Sequence, residues 1–187
     1  MPNYGDPGYW DQRYRDQEGT TFDWLEDYET IEPLIKQAIE KLLDEGNPLA
    51  LEHIKILNLG CGNSILSEEL YDRGFKNVYN IDISPVVIEQ MSLRNSVKRP
   101  ELKWEVMDVR NMRYPSNYFD LIIDKSTIDA LLCGESSFLN TALMMKECQR
   151  ILKPDAAYFS ISYGTPENRV LHYKRANLKF NVSTFKL

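Results

Sequence analysis

The stretch Ile54–Asp82, IKILNLGCGNSILSEELYDRGFKNVYNID, constrains the fold more than any other part of the chain. Its apolar run Ile54–Leu59 reads as a buried strand of a parallel sheet. That run breaks into Gly60-Cys61-Gly62-Asn63-Ser64. A helical pattern follows, with Ile65, Leu66, Leu70 and Tyr71 at helix spacing, and Gly74 stops it. A second strand, Val78–Ile81, ends on Asp82. The unit is βαβ, with a glycine turn after the first strand and an acid closing the second. Such a turn lets backbone approach a ligand closely, and the acid stands where it can hold a ribose. An adenosine-containing cofactor is therefore expected, against the plainer reading that the glycines serve turn geometry alone.

Dinucleotide sites use G-x-G-x-x-G/A, whose third small residue lets helix and strand pack closely beside a pyrophosphate. Here that position is Ile65, and no G-x-x-x-x-G-K-[ST] phosphate loop is present. S-adenosylmethionine carries no phosphate, so it needs the close backbone and the ribose acid but no anion cradle. The turn fits it better than a nicotinamide.

Along the chain, Pro2–Gly8 reads as a loose start. The aromatic residues Tyr9, Trp10, Tyr14, Phe22, Trp24 and Tyr28 follow. They either staple the N-terminus to the core or form a lid over the cofactor, with Arg13 or a ring hydroxyl meeting its carboxylate. An amphipathic helix is expected over Ile31–Leu43, ended by Gly46-Asn47-Pro48. Ser84-Pro85 reads as an N-cap and first helical residue. Strands are expected at Leu102–Met107, Phe119–Ile123 and Ala157–Tyr163, a long helix at Phe138–Leu152 and a last possible strand at Leu178–Phe185. Three successive strands thus end on Asp82, Asp108 and Asp124. Parallel strands bring such ends to one sheet edge, where ligands bind. Each acid has the alternative role of helix cap.

At 187 residues the chain is expected to be one domain, and with 43% apolar and 27% charged residues it is globular. The first residues lack the basic start and apolar core of a signal peptide, and no run approaches a membrane span. Cys61, Cys133 and Cys148 have no metal spacing, and His53 and His172 are far apart, so no metal site is expected. Scattered thiols suit a reducing, cytoplasmic setting. A net charge of −6 argues against nucleic acid as main partner and is compatible with a basic protein substrate, or is simply a solubility feature.

At this point the chain resembles the class I S-adenosylmethionine-dependent methyltransferases, in particular the group that methylates lysines of translation elongation factor 1-alpha. The resemblance runs from about Tyr9 to Tyr173. It is carried by Leu59-Gly60-Cys61-Gly62-Asn63-Ser64, Asn80-Ile81-Asp82-Ile83-Ser84, Met107-Asp108-Val109 and Asp124-Lys125-Ser126-Thr127-Ile128-Asp129-Ala130-Leu131, with the N-terminal Tyr9-Trp10, Tyr14 and Phe22-Asp23-Trp24. It implies a Rossmann-like, doubly wound, mostly parallel sheet with helices on both faces. Residues 54–163 would be the cofactor core, 1–24 an aromatic lid and 164–187 a shortened C-terminal part. It also implies S-adenosylmethionine as cofactor, S-adenosylhomocysteine as product and a lysine-bearing protein substrate, with no nucleic acid or membrane partner.

By the same resemblance, Gly60, Cys61, Gly62 and Asn63 would meet the aminoacyl part of the cofactor, Asp82 with Ile83 the ribose, and Asp108 with Val109 the adenine. Trp10, Arg13, Tyr14 and Trp24 would form the cover. Asp124, Lys125 and Asp129 would line the methyl-transfer mouth, where Asp124, Asp129 or Glu135 would attract a lysine or pair with Lys125. The chain departs from the pattern at three places. Ser126 replaces a usual glycine, at a cost if that position needs positive φ. Lys153-Pro154-Asp155-Ala156 replaces K-P-G-G as the turn before the fifth strand. The usual final antiparallel strand has no counterpart, which leaves an edge open to a partner chain or to self-association. The alternatives are an inactive scaffold subunit and a small-molecule methyltransferase.

Overall fold

Five parallel strands form one open sheet in the order β3-β2-β1-β4-β5. The computed structural model describes residues 2–40 and 50–186. In chain order the elements are α1 (Pro7–Asp16), α2 (Tyr28–Ile39), α3 (Ala50–His53), β1 (Lys55–Leu59), α4 (Leu66–Asp72), β2 (Asn77–Asp82) and α5 (Pro85–Asn95). Then come β3 (Lys103–Val106), β4 (Phe119–Lys125), α6 (Thr127–Leu132), α7 (Ser137–Ile151), β5 (Leu152–Ile161) and α8 (Pro166–Tyr173). This is the doubly wound, Rossmann-like arrangement expected from the sequence. The C-terminal part of the Ile31–Leu43 helix and its Gly46-Asn47-Pro48 terminator lie outside the described residues.

The β1 run is apolar on both faces because both are covered. Ile56, Leu121 and Ile123 point to the side packed by Ile31, Ile35 and Ile39 of α2 and Leu70 of α4. The neighbours Leu57, Leu59 and Ile122 point to the side packed by Met144, Met145, Cys148 and Ile151 of α7. One polar group interrupts this alternation. The buried Asn58 amide donates to Asn80 Oδ1 (3.3 Å) and Ser67 Oγ (3.0 Å), tying β1, β2 and α4 together just below the glycine turn.

Several expectations are corrected. The supposed loose start becomes helical at Pro7, because the Asp6 carboxylate caps it by accepting from the Gly8 amide (3.0 Å). Lys153-Pro154-Asp155-Ala156 is no turn before a strand: it lies inside β5, where a register break against β4 and a φ of 61° at Asp155 absorb the extra residues. Leu178–Phe185 forms no strand, and Leu178 and Phe180 instead pack on the α7 side of the core. Among the described residues no strand is antiparallel, so β5 is left as an open edge.

Ser126, between β4 and α6, has φ 68°. A side chain in that left-handed region costs about 1–2 kcal/mol. Glycine removes the cost while adding about 0.5–1 kcal/mol of unfolded-chain entropy. Ser126→Gly is therefore expected to stabilise the chain by about 0.5–1 kcal/mol, raising Tm by roughly 1–4 °C. A scanning calorimetry trace with unchanged or lowered Tm would show that the serine is not under backbone strain.

Candidate active site

At the carboxyl ends of the strands lies a cavity of about 420 Å³, reached from the glycine turn, β2, β4, α6 and the N-terminal segment together. Gly60 has φ 61° and Gly62 φ 52°, and each has its own reason to lack a side chain. A Cβ on Gly60 would collide with Thr127, whose hydroxyl donates to the Leu59 carbonyl (2.7 Å) and so binds α6 to the end of β1. A Cβ on Gly62 would lie 2.9 Å from the Tyr14 hydroxyl oxygen of α1, a side-chain end that could shift, so the positive φ is the firmer reason for the second glycine.

Asp82 faces this turn. Its Oδ2 accepts from the Gly62 amide (2.9 Å) and its Oδ1 from the Ser84 amide (3.0 Å). Burial pushes its carboxyl above the ordinary range, against the pull of those amides. Asp108 stands at the end of β3 and is gripped by Arg110, with contacts of 2.6–3.0 Å from the guanidinium and 2.8 Å from the amide. Burial acts to raise its carboxyl, but the Arg110 bonds outweigh burial and hold it below the ordinary range. Arg110 in turn donates to Asn140 on α7 (3.0 Å). Cys61, Asn63, Ile83 and Val109 also line the cavity. Burial and the nearby Asp82 carboxylate raise the Cys61 thiol well above its ordinary range.

The N-terminal segment closes one side. Trp10 stacks on Tyr14 with ring centroids 5.9 Å apart, Trp24 meets Trp10 edge-on at 6.4 Å, and the Trp10 indole donates to the Tyr4 carbonyl (2.7 Å). Helix α1 is fastened to α5 by Asp11, which accepts from the Ser84 hydroxyl, and by Gln90, which donates to the Tyr14 carbonyl (3.0 Å). Asn63 donates to the Thr20 carbonyl (3.2 Å) and its carbonyl accepts from Phe22 (3.2 Å).

Residues 57–160 match the family described as methyltransferase domain, more than half of the chain. The chain belongs to the S-adenosylmethionine-dependent methyltransferases. It is 34% identical to EEF1A lysine methyltransferase 4 of Mus musculus over 93% of its own length and 67% of that protein's. It is 36% identical to the eEF1A lysine and N-terminal methyltransferase of Mus musculus over 85% of its own length, which spans only 22% of that relative. Among solved structures, PH0226 protein from Pyrococcus horikoshii OT3 superposes with TM-score 0.57 at 26% identity, covering 86% of this chain and 62% of that one. A SAM-dependent methyltransferase from Methanosarcina mazei superposes with TM-score 0.57 at 21% identity, covering 82% and 65%, a likeness of fold.

The cofactor of this methyltransferase fits the residues present. The cavity has the volume of a small-molecule site. Two side-chain-free positions bring backbone to its wall, and the carboxylates of Asp82 and Asp108 line it, which suits a group that carries hydroxyls, amines and a cationic sulfur. Gly60, Cys61, Gly62, Asn63, Asp82, Ile83, Asp108, Val109, Trp10, Tyr14 and Trp24 all meet at this cavity.

Other candidates from the sequence fall elsewhere. Arg13 is not on the cavity wall. Its guanidinium lies among rings, 5.1 Å from the Trp24 centroid and 5.5 Å from that of Phe22, and it donates to the Tyr9 hydroxyl (3.3 Å). Asp124 is fully buried inside β4 rather than at a mouth. It accepts from the Thr127 and Ile128 amides (2.8 and 3.2 Å), holding the start of α6, and from the Tyr158 hydroxyl (2.5 Å). Burial pushes its carboxyl up to about 6, even though Tyr158 and the two amides favour the charged form. The cap alternative describes Asp124.

Lys125 does reach the cavity, but its partner is none of Asp124, Asp129 or Glu135. It pairs with Asp23 of the N-terminal segment and donates to the Glu26 carbonyl (3.1 Å). Asp129 lines the cavity with its carboxylate taken: Arg169 of α8 (2.6 Å), the Ser162 hydroxyl (2.6 Å) and the Tyr163 amide (3.0 Å) all donate to it. Sequence reading missed Asn58, Arg110, Asn140 and Tyr163 as wall residues. Arg110, two residues after Asp108, carried a readable pairing signal; the others reach the cavity only through tertiary placement.

Proposed function

We propose that this methyltransferase transfers a methyl group to the amine of a lysine on a protein of the elongation factor 1A class. Identity of 34% to a protein named for that activity, over 93% of this chain, carries the reading. Residues 54–163 would form the cofactor core and 1–24 its cover. Gly60, Cys61, Gly62 and Asn63 would meet the aminoacyl end, Asp82 and Ile83 the ribose, and Asp108 and Val109 the adenine. Trp10, Tyr14 and Trp24 would shield them from water. The cytoplasm, where elongation factors work, is the corresponding location. Among the described residues no helix is long and apolar enough to cross a membrane. A further strand, from another chain or a second copy, would add at the open β5 edge.

When bound, the cofactor supplies an already activated methyl on its sulfonium. The protein's own task is to align the amine in line and exclude water. A lysine amine reacts only when neutral, which at pH 7 costs about 4–5 kcal/mol from its reference pKa near 10.4. Substrate seated over the mouth would exclude water there, which disfavours the charged amine and lowers that cost. Asp82, Asp108 and Asp129 each already hold donors, which makes them poor bases, so the proton would leave the lysine to water before transfer. Single-turnover transfer to purified elongation factor 1A should therefore rise about tenfold per pH unit between about pH 7 and 9. A plateau within this range would mean that the mouth or a protein base has brought the bound amine's titration down. Mass spectrometry after incubation with S-adenosylmethionine tests the activity: methyl increments on a lysine support it, and an unmodified protein with cofactor bound would overturn it.

A further inference from the structure

The rim of the cavity combines two properties. Every ionised side chain on its wall among the described residues already has its partners: Asp82 the Gly62 and Ser84 amides, Asp108 and Arg110 each other, Lys125 Asp23, and Asp129 Arg169. Apolar side chains at the same rim face outward instead. Tyr163, which lines the cavity from the loop after β5, is 86% exposed, and Leu25, which lines it from the N-terminal segment, is 41% exposed. Phe138 and Leu139, at the start of α7 beside the wall residue Asn140, are 62% and 60% exposed. Leu25 and Tyr163 thus present exposed groups on the cavity wall itself, and the first turn of α7 adds Phe138, whose ring rests on His172 of α8 (centroids 5.3 Å apart), and Leu139 next to it. Clusters of this kind mark interaction sites.

Resting on the methyltransfer reading above, we propose that Tyr163, Phe138, Leu139 and Leu25 form a docking surface for a folded protein substrate, which presents apolar surface around its target lysine. A small-molecule substrate would need enclosure, whereas these groups point out of the cavity. The carboxylates of the wall are already occupied, which leaves only acids beside it, such as the exposed Glu135, to meet basic side chains of the substrate. The chain's net charge of −6 is then not what selects the substrate at this mouth. Affinity comes from a few buried apolar anchors, and weak salt dependence is the corollary.

The test uses the whole chain with folded elongation factor 1A, reading both binding and methylation. The exposed-site variants Phe138→Ser/Leu139→Ser and Tyr163→Ser should each raise KM and the direct binding constant for the folded protein about tenfold. S-adenosylmethionine affinity of the Phe138→Ser/Leu139→Ser chain, whose two positions are not on the cavity wall, should stay within about twofold by calorimetry, which also reports that it folds; Tyr163→Ser is checked for folding by circular dichroism instead. Binding of the wild type should change by less than about threefold between about 50 and 500 mM salt. Unchanged KM in the variants, or a steep loss of binding with salt, would overturn the proposal. So would a wild-type dimer in sedimentation that the variants dissociate, since a second copy would then occupy the surface. Binding that the variants lose, without any methyl transfer, would sustain the docking surface while the methyltransfer reading fails; absence of wild-type binding would overturn the docking surface itself.

Discussion

Asp82→Ala should weaken S-adenosylmethionine binding by about 100-fold or more. The Asp82 carboxylate does two things at once. It receives the Gly62 and Ser84 amides, fixing the glycine turn against the end of β2, and it faces the cavity where ribose hydroxyls would donate. Hydrogen bonds to a charged acceptor contribute about 1.5–3 kcal/mol each, and an orphaned buried amide costs about 1–3 kcal/mol. Losing both effects accounts for the expected two orders of magnitude. Asp82→Asn keeps an acceptor for one amide and should fall between. Isothermal titration on chains shown by circular dichroism to be folded measures this directly. Affinity within a few-fold of wild type in Asp82→Ala would move the ribose away from β2.

Asp23→Ala should lower stability by about 3–5 kcal/mol, the cost of leaving a buried charge without its partner. The Lys125 side chain is 5% exposed and sits at the end of a central strand, and Asp23 is its anionic partner. The same carboxylate also accepts from the Ser64 hydroxyl and the Ile65 amide (3.4 Å), so it joins β4, the glycine turn and the N-terminal segment. Its loss should therefore loosen the cover as well, raising proteolytic sensitivity around Trp24. Because the penalty comes from the stranded lysine, Asp23→Leu/Lys125→Met should recover most of the stability in urea titrations. If Asp23→Ala costs under about 1 kcal/mol, the pair behaves as an ordinary surface ion pair.

Much of this site could be read from residue order because it is built from local rules. An apolar run, a glycine pair and an amphipathic stretch make one βαβ unit. Acids at successive strand ends must then gather on one edge, because parallel strands share a direction. That reasoning placed Gly60, Gly62, Asp82 and Asp108 together with no knowledge of packing. It failed for Asp124, which looks like its neighbours in sequence but lies inside β4. Parallel pairing with β1 and β5 carries that strand through Lys125, so the carboxylate turns to the α6 amides and Tyr158. The turn expected at Lys153–Ala156 failed similarly, since a register break can absorb residues that local chemistry assigns to a loop.

Residue order alone carries the class of fold, the edge at which ligands meet it and the two glycines that open that edge. Periodicity and backbone freedom are local properties that hold wherever the chain goes. Which partner each charge takes emerges only once the chain is packed. Lys125 found Asp23 rather than the acids near it in sequence, and Asp129 found Arg169. An ion pair is chosen by proximity in space and by shared burial, neither of which residue order records.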